Sequence, residues 1–170
     1  MEAAKRGDRD AWEAAYLAYG KPLMGFLVLR LHDVDDASEA LSETFLRSIE
    51  KAASFRGDGP AFRAWLYRIA RNVAIDRIRA RSRVQPVGYT DEQPDLFETG
   101  AEEAMIALES AAEARAALDS LAPDDREVVW LRVCAGLSAE EVGRIVNKRA
   151  GAVRMQQMRA LESLARKIAR

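Results

Sequence analysis

The chain has one cysteine and one histidine in 170 residues, and those two shortages remove most metal and thiol chemistry at the outset. With Cys134 alone, no disulfide can close within the chain and a cysteine-based zinc site lacks ligands; its expected place is the core. His32 alone excludes a His-rich metal site and leaves no Ser/His or Cys/His pair with sequence support. Its expected place is a helix end at the surface. No glycine loop of the kind that cradles phosphates is present, so no metal, no cofactor and no enzyme activity is expected. No run approaches the roughly 18 consecutive apolar residues of a membrane-spanning helix, and the N-terminus carries charges where a signal peptide would be apolar. The expectation is a cytoplasmic protein with no membrane contact of its own. Glycine and proline are sparse, at 10 and 5 residues, and fall mainly at element boundaries.

What is abundant is Ala, Leu, Arg and Glu, the strong helix formers, and the fold class expected is all-α. A length of 170 residues suits either one large domain or two small ones. The formal net charge is −1, yet it is segregated: residues 56–83 carry eight arginines against two acids, residues 91–127 twelve acids against two bases, and residues 144–170 eight bases against one acid. Two basic elements therefore flank an acidic middle. One such run is usually a solvated face; two on a tether can grip separate stretches of one duplex, each gaining from counterion release. The acidic middle would then restrain indiscriminate DNA binding.

Along the chain, Asp8 or Asp10 can cap a first helix bearing Trp12, Tyr16 and Tyr19, which Gly20-Lys21-Pro22 should interrupt before the apolar run Leu23 to Leu31. A helix is expected from about Asp36 to Ala53, with Ala37, Leu41, Phe45 and Ile49 on one face and Glu39, Glu43, Arg47 and Glu50 on the other. After a loop from Ser54, Pro60 fits the first turn of a helix reaching about Arg83. Phe62, Trp65, Leu66, Ile69, Ala70 and Val73 form its inward stripe, with the arginines mostly outside. Residues 84–100 lose all helical period and read as an extended linker. The pattern resumes over 101–121 on Met105, Leu108, Ala112, Leu118 and Leu121, and Pro123 restarts it. Val128, Val129, Leu131 and Val133 are the buried candidates there, and Gly136 ends the helix.

Ser138 and Glu141 form a capping box, in which hydroxyl and carboxylate each satisfy an orphan backbone N–H. A helix-turn-helix needs a small residue where its helices cross, a residue tolerant of positive φ four positions later, and an apolar residue six beyond that. Gly143, Asn147 and Val153 meet those demands. The last helix, about Ala150 to Ile168, should bury Val153, Leu161 and Leu164 and expose Arg149, Arg154, Gln156, Gln157 and Arg159. Arginine reads guanine and glutamine reads adenine in the major groove.

Three segments in this order, Asp36 to Arg47 (DASEALSETFLR), Phe62 to Arg77 (FRAWLYRIARNVAIDR) and Gly136 to Val142 (GLSAEEV) ahead of the helix-turn-helix, resemble the extracytoplasmic-function sigma factors, the minimal group 4 of the sigma-70 family. The resemblance implies a promoter-specificity subunit of bacterial RNA polymerase, with a region 2 domain at 1–83 and a region 4 domain at 101–170. It implies core-polymerase contacts to the β and β′ subunits, carried over onto Asp36, Glu39, Glu43, Phe45 and Arg47; Phe45 fits the core equally well. It implies reading of the −10 element, with an unpaired base, by Phe55, Arg56, Arg63, Arg68, Arg71, Asn72, Arg77 and Arg79. The −35 reader is carried over onto Arg149, Arg154, Met155, Gln156, Met158 and Arg159. Promoter DNA and an anti-sigma factor are the further partners implied. Two other classes also contain a helix-turn-helix or basic helices: a stand-alone transcriptional regulator, which leaves the N-terminal basic helix unexplained, and a helical adaptor that binds only proteins.

Overall fold

The computed structural model describes residues 6–84 and 115–168, and the chain divides into two compact units, Met1–Glu92 and Gln93–Arg170. The expected linker from Gln85 onward, with Met105, Leu108 and Ala112, lies outside the described residues. All regular elements among the described residues are helical.

In the first unit, α1 runs unbroken from Arg9 to Leu31, capped by the Asp8 carboxylate, which accepts from the Ala11 N–H at 3.0 Å. The interruption expected at Gly20-Lys21-Pro22 does not occur. A proline inside a helix costs about 3 kcal/mol, but Trp12, Ala15, Leu23, Phe26 and Leu27 form one buried stripe across it. Each large apolar side chain buried there stabilises by roughly 1.5–3 kcal/mol, so the packing outweighs the lost bond. Pro22 and Ala18, whose carbonyl loses its partner, both lie on the exposed side. His32 closes the helix in the left-handed region at φ 55°, a helix-end residue as expected.

Helix α2 spans Val34–Lys51, starting earlier than expected because the Asp33 carboxylate accepts from the Asp36 N–H at 2.8 Å. Ala37, Leu41 and Phe45 are buried, whereas Ile49, expected beside them, is exposed. A short 3₁₀ turn, Ala52–Ser54, leads to α3, Gly59–Val84, with Asp58 capping it through the Ala61 N–H at 3.0 Å. Pro60 lies in the first turn, where its missing N–H would be unpaired anyway. The core centres on Phe62, whose ring packs against Trp12, Tyr19, Phe55 and Trp65 at centroid distances of 5.6–6.0 Å.

In the second unit, residues 115–119 are helical and α4 follows over Pro123–Val129, with the proline in its first turn as expected. The chain then widens into a π-helical turn, Trp130–Cys134, closed by the Ala135 N–H on the Trp130 carbonyl at 3.0 Å. That turn takes an extra residue, so the four-residue step from buried Val129 no longer returns to the core. Val133 and Cys134 are therefore exposed, against expectation; Val128, Val129 and Leu131 are buried as expected, and Ala135 and Leu137 join them. Gly136, at φ 62°, ends the element. Helices α5, Ala139–Val146, and α6, Ala150–Ile168, complete the unit.

Candidate nucleic-acid interface

The second unit builds the expected bend residue by residue. The Ser138 hydroxyl accepts from the Glu141 N–H at 3.1 Å, and the Glu141 carboxylate accepts from the Ser138 N–H at 2.7 Å. Asn147 takes φ 57° and ψ 48°, and the next N–H, on Lys148, closes on the Gly143 carbonyl at 2.9 Å. A Cβ at Gly143 would drive into the Lys148 carbonyl oxygen, so the helix crossing admits only glycine without backbone movement. Val153 is fully buried beneath the turn. All three positional demands read from the sequence are met.

This bend projects α6 with Arg154, Met155, Met158 and Arg159 on its exposed side and Arg149 just ahead of it. Arg154 pairs with Glu140 of α5. The Glu140 carboxyl is held below the usual carboxylate range, chiefly by its own backbone N–H; burial opposes this and the Arg154 charge assists it. Gln156 is not on this face. It is 8 % exposed, its amide donating to Asp125 of α4 and accepting from Lys148, both at 2.8 Å. It thus ties α6 to α4 and to the turn before α6. The sequence held the signal: Val153, Gln156, Ala160 and Leu164 fall at steps of three, four and four, one face of a helix. The same stripe explains why Ala160 is buried while Leu161 is exposed. Arg132, absent from the candidates, makes a parallel tie by donating to the Gln157 side chain at 2.9 Å and to the Leu137 carbonyl.

In the first unit, the arginines of α3 divide by helical phase. Arg68, Asn72 and Arg79 are exposed on one stripe, and half-buried Trp65 borders it. Arg77 lies opposite, continuing the buried series Leu66, Ala70 and Val73. Its guanidinium donates to Asp36 at 2.5 Å, Glu39 at 3.0 Å and Glu43 at 3.2 Å. Burial opposes the charge, but the three carboxylates outweigh it and hold the Arg77 pKa well above the ordinary arginine value. Arg81 reaches Asp36 at 2.9 Å, and Arg47 reaches Asp76 at 3.0 Å and Glu43 at 2.5 Å. One ion-pair network thus stitches α2 to α3.

Residues 15–84 match the family Sigma-70 region 2, and residues 111–164 match Sigma-70, region 4. The RNA polymerase sigma-H factor of Pseudomonas aeruginosa is 32% identical over 96% of this chain and 89% of its own length. The ECF RNA polymerase sigma-E factor of Escherichia coli (strain K12) is 31% identical over 99% of this chain and 92% of its own. This chain belongs to the extracytoplasmic-function sigma factors. Among solved structures, the sigma factor RpoE of Bartonella quintana, in complex with the anti-sigma factor NepR, shares the fold at a TM-score of 0.72 and 21% identity, covering 94% of this chain and 97% of that one.

Within the sigma factor, the residues expected at the −10 element are not equivalent. Arg68, Asn72 and Arg79 stand exposed together. Arg77 is withdrawn into the α2 network, because it falls in phase with the core stripe. Phe55 is 6 % exposed, its ring 5.0 Å from that of Trp65, so its face is covered by the aromatic core and Trp65 borders the open stripe instead. Arg56 folds back onto the Ala53 and Phe55 carbonyls at 2.9 and 3.1 Å; Arg63 and Arg71 are half-buried. At the expected polymerase face, Glu39 projects into solvent, Asp36 is largely covered, and Phe45 is buried against Tyr16, at 5.0 Å between centroids. Of the two alternatives for Phe45, the core has it. No described helix is long and apolar enough to cross a membrane.

Proposed function

We propose that this sigma factor is the promoter-specificity subunit of a bacterial RNA polymerase, docking on the core enzyme through α2, reading the −10 element with α3 and the −35 duplex with α6. It acts by binding alone, in the cytoplasm, and helps to open the promoter without a catalytic step of its own. The observation that carries the reading is the bend at Gly143 and Asn147, which leaves Arg154, Met155, Met158 and Arg159 exposed along one side of α6. Support comes from the first unit, where Arg68, Asn72 and Arg79 form a second exposed stripe beside Trp65. Unpaired bases stack on aromatic rings for about 1–3 kcal/mol each, and amides and guanidinium groups bond their edges. Trp65 supplies the ring in place of Phe55. On α2, exposed Glu39 shares a helix stripe with exposed Leu46 and Ile49 further along, a mixed acidic and apolar surface suited to a basic partner helix such as one of the β′ subunit. An anti-sigma factor that covered these faces would silence the protein.

Run-off transcription with core polymerase on a genomic promoter library tests the reading. Discrete starts above the level of core alone are expected; initiation no better than core alone removes it. In the same assay, Arg154→Ala combined with Arg159→Ala should abolish −35-dependent initiation while core binding survives.

A further inference from the structure

Two of the five methionines lie together on the outward face of α6. Met155 and Met158 are 52 % and 47 % exposed, and their spacing of three places them side by side on the helix. Arg154 and Arg159 flank them. Of the two glutamines between them, Gln156 is turned inward and held by Asp125 and Lys148, and half-buried Gln157 accepts from Arg132. The reading face is therefore arginine and thioether, with no amide from Gln156.

We propose that Met155 and Met158 recognise thymine through its 5-methyl group in the major groove of the −35 element, and so set the positions at which A·T pairs are required. The proposal rests on the promoter reading above and deepens it. Thymine alone among the four bases carries a methyl group in that groove, and apolar side chains are what contact it. A thioether suits the task because it is unbranched and polarisable and fits itself to a small apolar surface. The flanking arginines favour a polyanion over an apolar protein helix as occupant of this face and pin the register by holding phosphate or guanine. Exposure in the free protein is consistent with that use: the apolar surface stays in water until the duplex covers it.

The test uses the full chain assembled with core polymerase and a promoter recovered from a pool with a randomised −35 region. Each thymine of the selected −35 element is replaced in turn by deoxyuridine, which deletes only the methyl group. At one or two positions, affinity should fall about fourfold, the factor expected for withdrawing one methyl-sized group from water. Met155→Ala or Met158→Ala should abolish the response at its own position, and because both side chains are exposed and alanine favours helix, the melting temperature should stay unchanged. If Arg159→Ala still weakens −35-dependent binding while no deoxyuridine has any effect, the methyl reading is wrong and the promoter reading stands. If both alanine variants keep full sensitivity to the methyl group, it is read elsewhere and the assignment falls. If binding ignores the −35 sequence altogether, this proposal and the promoter reading fail together.

Discussion

Arg77 meets three carboxylates of a neighbouring helix, and its position shows how one guanidinium can organise two helices. Asp36, Glu39 and Glu43 project from successive turns of α2 toward the same point, an arrangement that repels itself unless a cation sits among them. The planar fork of arginine meets several oxygens at once, which a lysine point charge does not. Arg77→Ala should therefore act on stability: a loss of about 2 kcal/mol, below the 3–5 kcal/mol for breaking a fully buried pair because this site is partly solvated. Urea denaturation would show it as a lower midpoint with unchanged slope. Adding Glu43→Gln should recover part of the loss, since it removes one of the stranded carboxylates. Because the folded-state pKa of Arg77 is raised, its contribution is complete below the ordinary arginine value and is lost only as pH rises through the higher folded value. No fading is expected on the alkaline side within the working range. Unchanged stability with weakened promoter affinity would return Arg77 to the DNA.

The helix-turn-helix is the element at which local rules and tertiary structure agree most closely. Gly143→Ala should lose about 1–3 kcal/mol, the range for overpacking, because the atom it meets is a backbone carbonyl that moves only with the turn. Asn147→Gly should be nearly neutral or slightly stabilising, whereas Asn147→Ala should cost about 1 kcal/mol for a left-handed conformation that alanine disfavours. Thermal melting of the three variants checks the order Gly, Asn, Ala at position 147 and the independent effect at 143. These positions were legible in the sequence because each demand is local: a cap three residues from its partner, a turn four residues from a crossing. The all-helical class, Pro60 and Pro123 in first turns, and the Gly136 stop were legible for the same reason. What the sequence hid depends on what packs across. Pro22 signals a break, but burial on both sides of it carries α1 through. Val133 and Cys134 follow an apolar pattern that the π turn rotates outward. Arg77 and Gln156 are polar and so look external, yet both occupy the inward phase of their helices, one beside α2 carboxylates and the other between Asp125 and Lys148. Their inward phase is readable from the sequence, but their carboxylate partners are not: Asp125 lies 31 positions from Gln156 and Asp36 lies 41 from Arg77, beyond any window of local pattern.

At the scale of the whole molecule, the relevant quantity is how much positive charge remains available to a duplex. The formal net charge of −1 says little, and even the eight arginines of residues 56–83 overstate the case, since Arg77 and Arg81 are matched by acids of α2. Arg47, whose pKa is raised chiefly by its hydrogen bond to Asp76, is similarly occupied. Counterion release distinguishes the two populations, because only a cation that neutralises a phosphate contributes to the salt dependence of binding. With the sigma factor assembled on core polymerase, the slope of log affinity against log salt should become shallower by about 0.9 for Arg159→Ala, and by about 0.7 for Arg68→Ala or Arg79→Ala if they hold single-stranded phosphates. Arg47→Ala should leave that slope unchanged while lowering the stability of the protein. Titrating a fluorescent promoter fragment at four or five salt concentrations measures each slope directly. The reverse pattern, with Arg47 contributing and Arg68 silent, would mean that the α2 network opens on the promoter and hands its arginines to DNA, so that the charge distribution of the free protein no longer describes the bound one.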